Sequence, residues 1–232
     1  MLVFLLALPA STYAQQTIFN VPTTDVLDKG KVYAELDVPF KPNDGDSVGK
    51  FSSFVPRVVV GAGGRTEVGL NVTGNIQPGA DVTSLVPTVK FKLYDGGDNG
   101  YDLVVGDNLT IPVRNRNLVF YDVGNYVYLN GSKVIGKTRL TAGGYHFSRG
   151  VVAADAQRAG GQFGIEQTIL PRFTVAADWI TGKHAAGYFT PGFYFKPDKA
   201  GKITGYVAYS IGNTNVSGGN HFFLLEVGYN FN

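Results

Sequence analysis

From Phe223 to Phe231 every second residue is apolar or aromatic: Phe223, Leu225, Val227, Tyr229 and Phe231. Side chains alternate across a β-strand, so these five share one face, and Phe222, Leu224, Glu226, Gly228 and Asn230 share the other. The same period recurs upstream. Val68, Leu70 and Val72 alternate with Glu67, Gly69, Asn71 and Thr73, and Val89, Phe91 and Leu93 alternate with Lys90, Lys92 and Tyr94. Phe189, Pro191, Phe193 and Phe195 alternate with Thr190, Gly192, Tyr194 and Lys196. One face is nearly free of charge throughout, and the other holds the charges and glycines. This pattern predicts strands over residues 30–38, 51–61, 65–74, 87–95, 101–112, 117–129, 134–148, 161–170, 172–182, 187–196, 202–212 and 221–231.

The connections alternate in length. Tight reversals rich in Gly, Asn and Pro are expected at Gly61-Ala62-Gly63-Gly64, at Asp95 to Gly100, at Asn130-Gly131-Ser132-Lys133, at Leu170-Pro171-Arg172 and at Pro197 to Gly201. Between them fall mostly longer links, at 39–50, 75–86, 149–160 and 213–220. An even number of strands, many about nine to eleven residues long, is what a tilted antiparallel barrel needs to cross a bilayer. A soluble sandwich would also alternate. Its outer face, however, would prefer dense Lys and Glu, whereas charged residues are only 16% of this chain, against about 25% in soluble domains.

Composition narrows the picture further. Among 232 residues there are 31 Gly, 13 Tyr and 16 Phe but no Cys, which excludes disulfides, thiolate metal sites and Cys nucleophiles. A net charge of +2 gives no basis for nucleic-acid binding. Residues 1–14 have an apolar run, Leu2 to Leu8, followed by small residues; Thr12 and Ala14 stand where a signal peptidase reads, so a secretory signal is expected, with cleavage before Gln15. Residues 15–29 are then expected as an N-terminal periplasmic segment, and 30–232 as a single all-β, transmembrane, antiparallel up-and-down β-barrel of about 12 strands.

The terminal strand resembles that of bacterial outer-membrane β-barrels, which usually ends on an aromatic residue; here that residue is Phe231. The resemblance is to the broad class of small porin-like or transporter-like barrels. It implies residence in the outer membrane of a Gram-negative bacterium, contact with outer-membrane lipid, and Phe231 as the aromatic recognised by the barrel assembly machinery.

In the expected register the lumen holds Lys31, Glu35, Asp37, Arg57, Arg65, Glu67, Lys90, Lys92, Asp122, Lys137, Arg139, Glu166, Asp178 and Glu226. Acids and bases balance. Such a set either lines a narrow aqueous pore for small solutes or pairs into ladders that close the interior. A narrow pore or transporter is therefore the expected function, and a non-conducting structural or ligand-binding barrel is the alternative.

One constellation offers chemistry. His146 and Ser148 lie two apart, and lipid-active outer-membrane hydrolases use a His-x-Ser pair as base and nucleophile. If Lys137 and Arg139 face inward, alternation turns His146 and Ser148 to the lipid face, and no convincing third member stands nearby. The expectation is no enzyme. No cofactor or metal is expected either: His184 and His221 lack ligand spacing, and the Asp-rich turn at Asp95 to Gly100 lacks a calcium loop's full ligand series.

Overall fold

The computed structural model describes residues 17–43, 49–74, 82–97, 100–115, 122–213 and 221–231. The expected signal segment, 1–14, lies outside them. Twelve staves run in sequence order: β1 (Val32–Lys41), β2 (Val55–Gly63, extended by the two-residue piece Phe51–Ser52), β3 (Thr66–Gly74), β4 (Val82–Tyr94), β5 (Tyr101–Asn115), β6 (Gly124–Ile135), β7 (Thr138–Phe147), β8 (Ala159–Leu170), β9 (Phe173–Ile180), β10 (Tyr188–Phe195), β11 (Ile203–Gly212) and β12 (His221–Asn230). Each pairs antiparallel with its neighbours, and β12 returns to β1 through a ladder from Tyr33↔Asn230 to Phe40↔Phe223. Among the described residues the sheet therefore has no free edge, and each wall strand can satisfy its backbone without water.

The alternation seen in the sequence sorts the side chains. Val68, Leu70, Val89, Phe91, Leu225 and Val227 all project outward and stand roughly half exposed, Val227 reaching 59%. Their intervening neighbours Glu67, Lys90, Glu226 and Asn230 are buried inside. Fully burying one such apolar side chain is worth about 1.5–3 kcal/mol. A continuous outward belt of them makes sense against lipid and not against water, so the barrel is a membrane-spanning one. The β10–β11 ladder keeps one register but lacks pairs at residues 190 and 191, between Phe189↔Ile211 and Gly192↔Ala208, where Pro191 has no N–H to donate.

One hairpin differs from expectation. Asn130 to Lys133 is strand interior, paired with both β5 and β7, and the reversal comes at Gly136-Lys137, where Gly136 adopts φ +62°. A two-residue turn with left-handed glycine suits a hairpin better than the Asn-Gly pair does here, because Asn130 is needed inside the lumen. The shift places Lys137 in an exposed turn. Arg65 is likewise an exposed turn residue, with φ +66°, and Asp122 is exposed outside the strands. These three are not lumen residues.

The segment expected in the periplasm is inside the barrel. Residues 17–28 cross the lumen from the level of Arg57 to that of Gly61, near the end of β2, before β1 begins. Ile18 N–H donates to Val21 O at 2.9 Å, closing a tight turn, and Thr17 bridges Pro22. Ile18 and Phe19 pack with Ala176, Tyr206, Ala208 and Leu224; Val21 packs with Val104, Tyr128, Tyr145, Phe147 and Ile180. The physical reason is volume: side chains alone do not fill a barrel of twelve strands, and this segment carries the apolar groups that do.

Candidate functional site in the lumen

The inward charges hold the crossing segment, here called the plug. Asp178 on β9 is the anchor. Its carboxylate accepts the backbone N–H groups of Phe19 (3.0 Å), Asn20 (2.5 Å) and Val21 (2.7 Å), which the 18–21 turn aims at one point. Asn20 also donates its side-chain amide to Thr190 Oγ1 at 2.9 Å. Further along, Asn130 donates to Pro22 O at 2.7 Å, Lys90 to Thr23 O at 3.4 Å, and Leu27 N–H to Glu67 at 2.9 Å. Arg139 grips Asp25 with both terminal nitrogens, and Glu166 stands 3.8 Å from the same guanidinium. Thr24 shares a hydrogen bond with Ser132.

Glycines make room. A Cβ on Gly164 would lie 2.2 Å from Ile18 Cδ1, and one on Gly61 would lie 1.9 Å from Asp28 O, where the plug leaves the lumen. At Gly61 the close atoms are backbone, so glycine there is what lets the two chains approach; at Gly164 the contact is with the tip of the Ile18 side chain.

Above the plug, on the side of the longer links, is a cavity of about 320 Å³. Its floor is Thr17, Phe19, Asn20 and Pro22. Tyr126, Tyr128, Phe147 and Phe222 supply aromatic walls, while Arg57, Lys90, Asn71 and Asn108 supply polar groups. A polar chain leads from wall to plug: Tyr126 donates to Gln162 (2.5 Å), Gln162 donates to Asn130 (2.5 Å), and Asn130 donates to Pro22 O. Gln162 and Asn130 are fully buried.

The remaining charges pair locally. Lys90 meets Glu67 at 2.9 Å, Lys92 meets Asp102 at 3.3 Å, and Arg57 meets Glu35 at 3.1 Å and also Asp37. Glu226 faces the same group. Glu35, Asp37, Arg57, Glu67, Lys90, Lys92, Arg139, Glu166, Asp178 and Glu226 thus all lie inside the barrel. Sequence reasoning missed the plug's own Asp25 and the neutral relay of Tyr126, Gln162 and Asn130. A signal was present, since 17–28 alternates poorly but holds Ile18, Phe19, Val21 and Leu27 with only two acids, Asp25 and Asp28, an odd composition for a solvated leader.

His146 is exposed on the outer face at the end of β7, between the inward Tyr145 and Phe147. The β6–β7 ladder runs without a register shift through Gly143-Gly144, so no bulge changes its parity. Ser148 Oγ accepts the Asn125 N–H at 2.8 Å. His184, by contrast, is buried in the 181–187 link. Its Nδ1 accepts the Ala186 N–H at 3.2 Å and its Nε2 lies 2.9 Å from Thr181 O and 2.7 Å from Tyr145 Oη. Burial pulls its pKa below the ordinary 6.5, against the opposing pull of the Thr181 carbonyl.

Neither a protein-family model nor a curated protein sequence matches the chain. Among solved structures it is similar to the KdgM porin, with TM-score 0.57 and 14% identity over 85% of this chain and 99% of that one. It is similar also to the KdgM porin in complex with disordered oligogalacturonate, with TM-score 0.56 and 13% identity over the same shares. A COG4313 outer membrane channel from Pseudomonas putida F1 aligns with TM-score 0.48 and 13% identity over 90% of this chain and 98% of that one. At such identities the likeness to the KdgM porin is one of fold.

Proposed function

We propose that this protein is a narrow pore for small solutes in the bacterial outer membrane, closed in this state by residues 17–28. The observation that carries the reading is the pairing of a mixed aromatic and charged cavity with a plug directly beneath it. The belt of outward apolar residues and the porin-like fold support the location, and the short turns then face the periplasm, with the cavity toward the outside. A cavity of about 320 Å³ holds a small solute and no polymer in compact form. Its lining suits an amphipathic molecule, with a ring or chain against Tyr128 and Phe147 and polar groups toward Arg57 and Asn71. The relay from Tyr126 to Pro22 gives a solute in the cavity a physical connection to the plug.

A second reading has its own support. A plug held by Asp178, Arg139 and Asn130 is also what a closed, ligand-binding barrel would show. One experiment separates the two. The chain has no Cys, and Thr24 and Ser132 touch through their hydroxyls, so T24C/S132C creates one possible disulfide between plug and wall. For a pore that opens by plug movement, oxidation abolishes solute flux and single-channel events, and reduction restores them. Flux unaffected by oxidation shows that solutes pass beside a fixed plug. No flux in either state removes the pore reading. The hydrolase reading is tested separately, by phospholipid hydrolysis that disappears in S148A.

A further inference from the structure

Three inward carboxylates stand together at the seam where the barrel closes. Glu35 and Asp37 project from β1 and Glu226 from β12, and Asp37 and Glu226 are direct cross-strand partners. One oxygen from each lies within 4.8 Å of the other two. Arg57, opposite Glu35 on β2, is the base that reaches the group, at 3.1 Å from Glu35 and in contact with Asp37. With all three acids ionised, one guanidinium leaves the cluster two negative charges in excess. Glu226 is only 2% exposed, and neither of its carboxylate oxygens has a hydrogen-bond partner among the described residues. Asp37 Oδ1 is likewise unpartnered. A buried carboxylate left without partners is strongly unfavourable and calls for a counter-charge.

We infer that Glu226, Asp37 and Glu35 form a divalent-cation site, and that calcium is the ion it fits. All the donors are hard carboxylate oxygens, which suit calcium or magnesium rather than a softer metal. Those two differ in the ligand span they accept. Calcium binds oxygens at about 2.3–2.6 Å, so ligands across the ion lie up to about 5 Å apart, whereas magnesium at about 2.0–2.1 Å draws them within about 4.2 Å. The three oxygens, all within 4.8 Å of one another, fit inside calcium's span without rearrangement. A divalent ion also cancels the excess of two charges. Asp37, Arg57 and Glu226 border the cavity, which gives the ion a way in. Because the ligands come from β1 and β12, a bound ion ties the last strand to the first. None of this depends on whether the pore conducts.

The test uses the full chain, chelator-treated in detergent and titrated with calcium chloride by calorimetry, with the unfolding temperature followed in parallel. One calcium per barrel is expected, with a raised unfolding temperature and weaker binding of magnesium. E226Q should weaken calcium binding by about tenfold or more, whereas D155N, in an exposed link, should not. If E226Q does not fold, D37N carries the same expectation. Absence of saturable calcium binding by the unsubstituted protein, or equal binding by folded E226Q, overturns the proposal and leaves protons as the counter-charge.

Discussion

Asp178 shows how one side chain commits to a role that its type alone does not specify. A buried carboxylate is tolerable only when donors meet it, and three successive N–H groups of the plug do so. Hydrogen bonds to charged groups contribute about 1.5–3 kcal/mol each. D178A should therefore lower unfolding stability by about 2–4 kcal/mol, allowing for the relief of burying one charge fewer. Denaturant titration in detergent measures this, and the same variant should conduct more often in planar bilayers. A variant of full stability with unchanged conductance would show that the plug is held elsewhere. Gln162 is the neutral counterpart. Q162L removes the middle of the relay while keeping volume, and is expected to weaken solute-dependent opening more than stability.

Two short elements owe their form to contacts distant in sequence. The plug is held at its middle by Arg139 and Asp25, groups more than a hundred residues apart. A double-mutant cycle of R139M and D25N should give a coupling of about 1–3 kcal/mol; a value near zero would make the pair incidental. The 181–187 link is pH-sensitive by construction. His184 is neutral, its Nδ1 occupied as an acceptor by the Ala186 N–H, so a second proton has no place there. Its folded pKa is lowered, so this contribution to stability is present above the ordinary 6.5 and is lost as pH falls through the lowered folded value. Trp179, the only Trp, donates to Asn213, which in turn donates to Ile180 O and Gly182 O at the base of this link. Its emission should shift as pH falls through that lowered folded value in the unsubstituted protein and remain constant in H184F. A shift that persists in H184F would assign the transition to another group.

At the scale of the molecule, closure is the main event. The β12–β1 ladder removes the last two edges, and Phe231 N–H adds a bond to Val32 O at 3.0 Å just past the ladder's end. Phe231 stands exposed at the rim on the short-turn end of the barrel, with its ring against Tyr229. We expect F231A to leave the finished barrel nearly as stable but to reduce the yield of folded barrel in the membrane several-fold, read as the heat-modifiable band on gels. Equal yield would mean that the aromatic matters for the rim alone. Closure also creates the lumen, and the lumen selects the plug. An enclosed space lined by Asp178, Arg139, Glu67 and Lys90 favours a segment whose backbone and Asp25 satisfy those groups.

The sequence by itself determined the strand type, the stave number and the facing of nearly every strand residue. It could do so because a period of two is local, and a membrane makes the outward face legible as an apolar one. It placed Glu35, Asp37, Glu67, Glu166, Asp178 and Glu226 inward by the same rule. It misplaced Lys137, because the true hairpin reversal lies at Gly136, and Asn130-Gly131 carries equally good turn chemistry. It also sent 15–29 outside the barrel. Only the tertiary structure decided that this segment returns into the lumen, that Arg139 meets Asp25, and that three carboxylates share the closing seam. Those outcomes depend on which strands become neighbours after closure and on the volume they enclose, and neither is encoded in any local period.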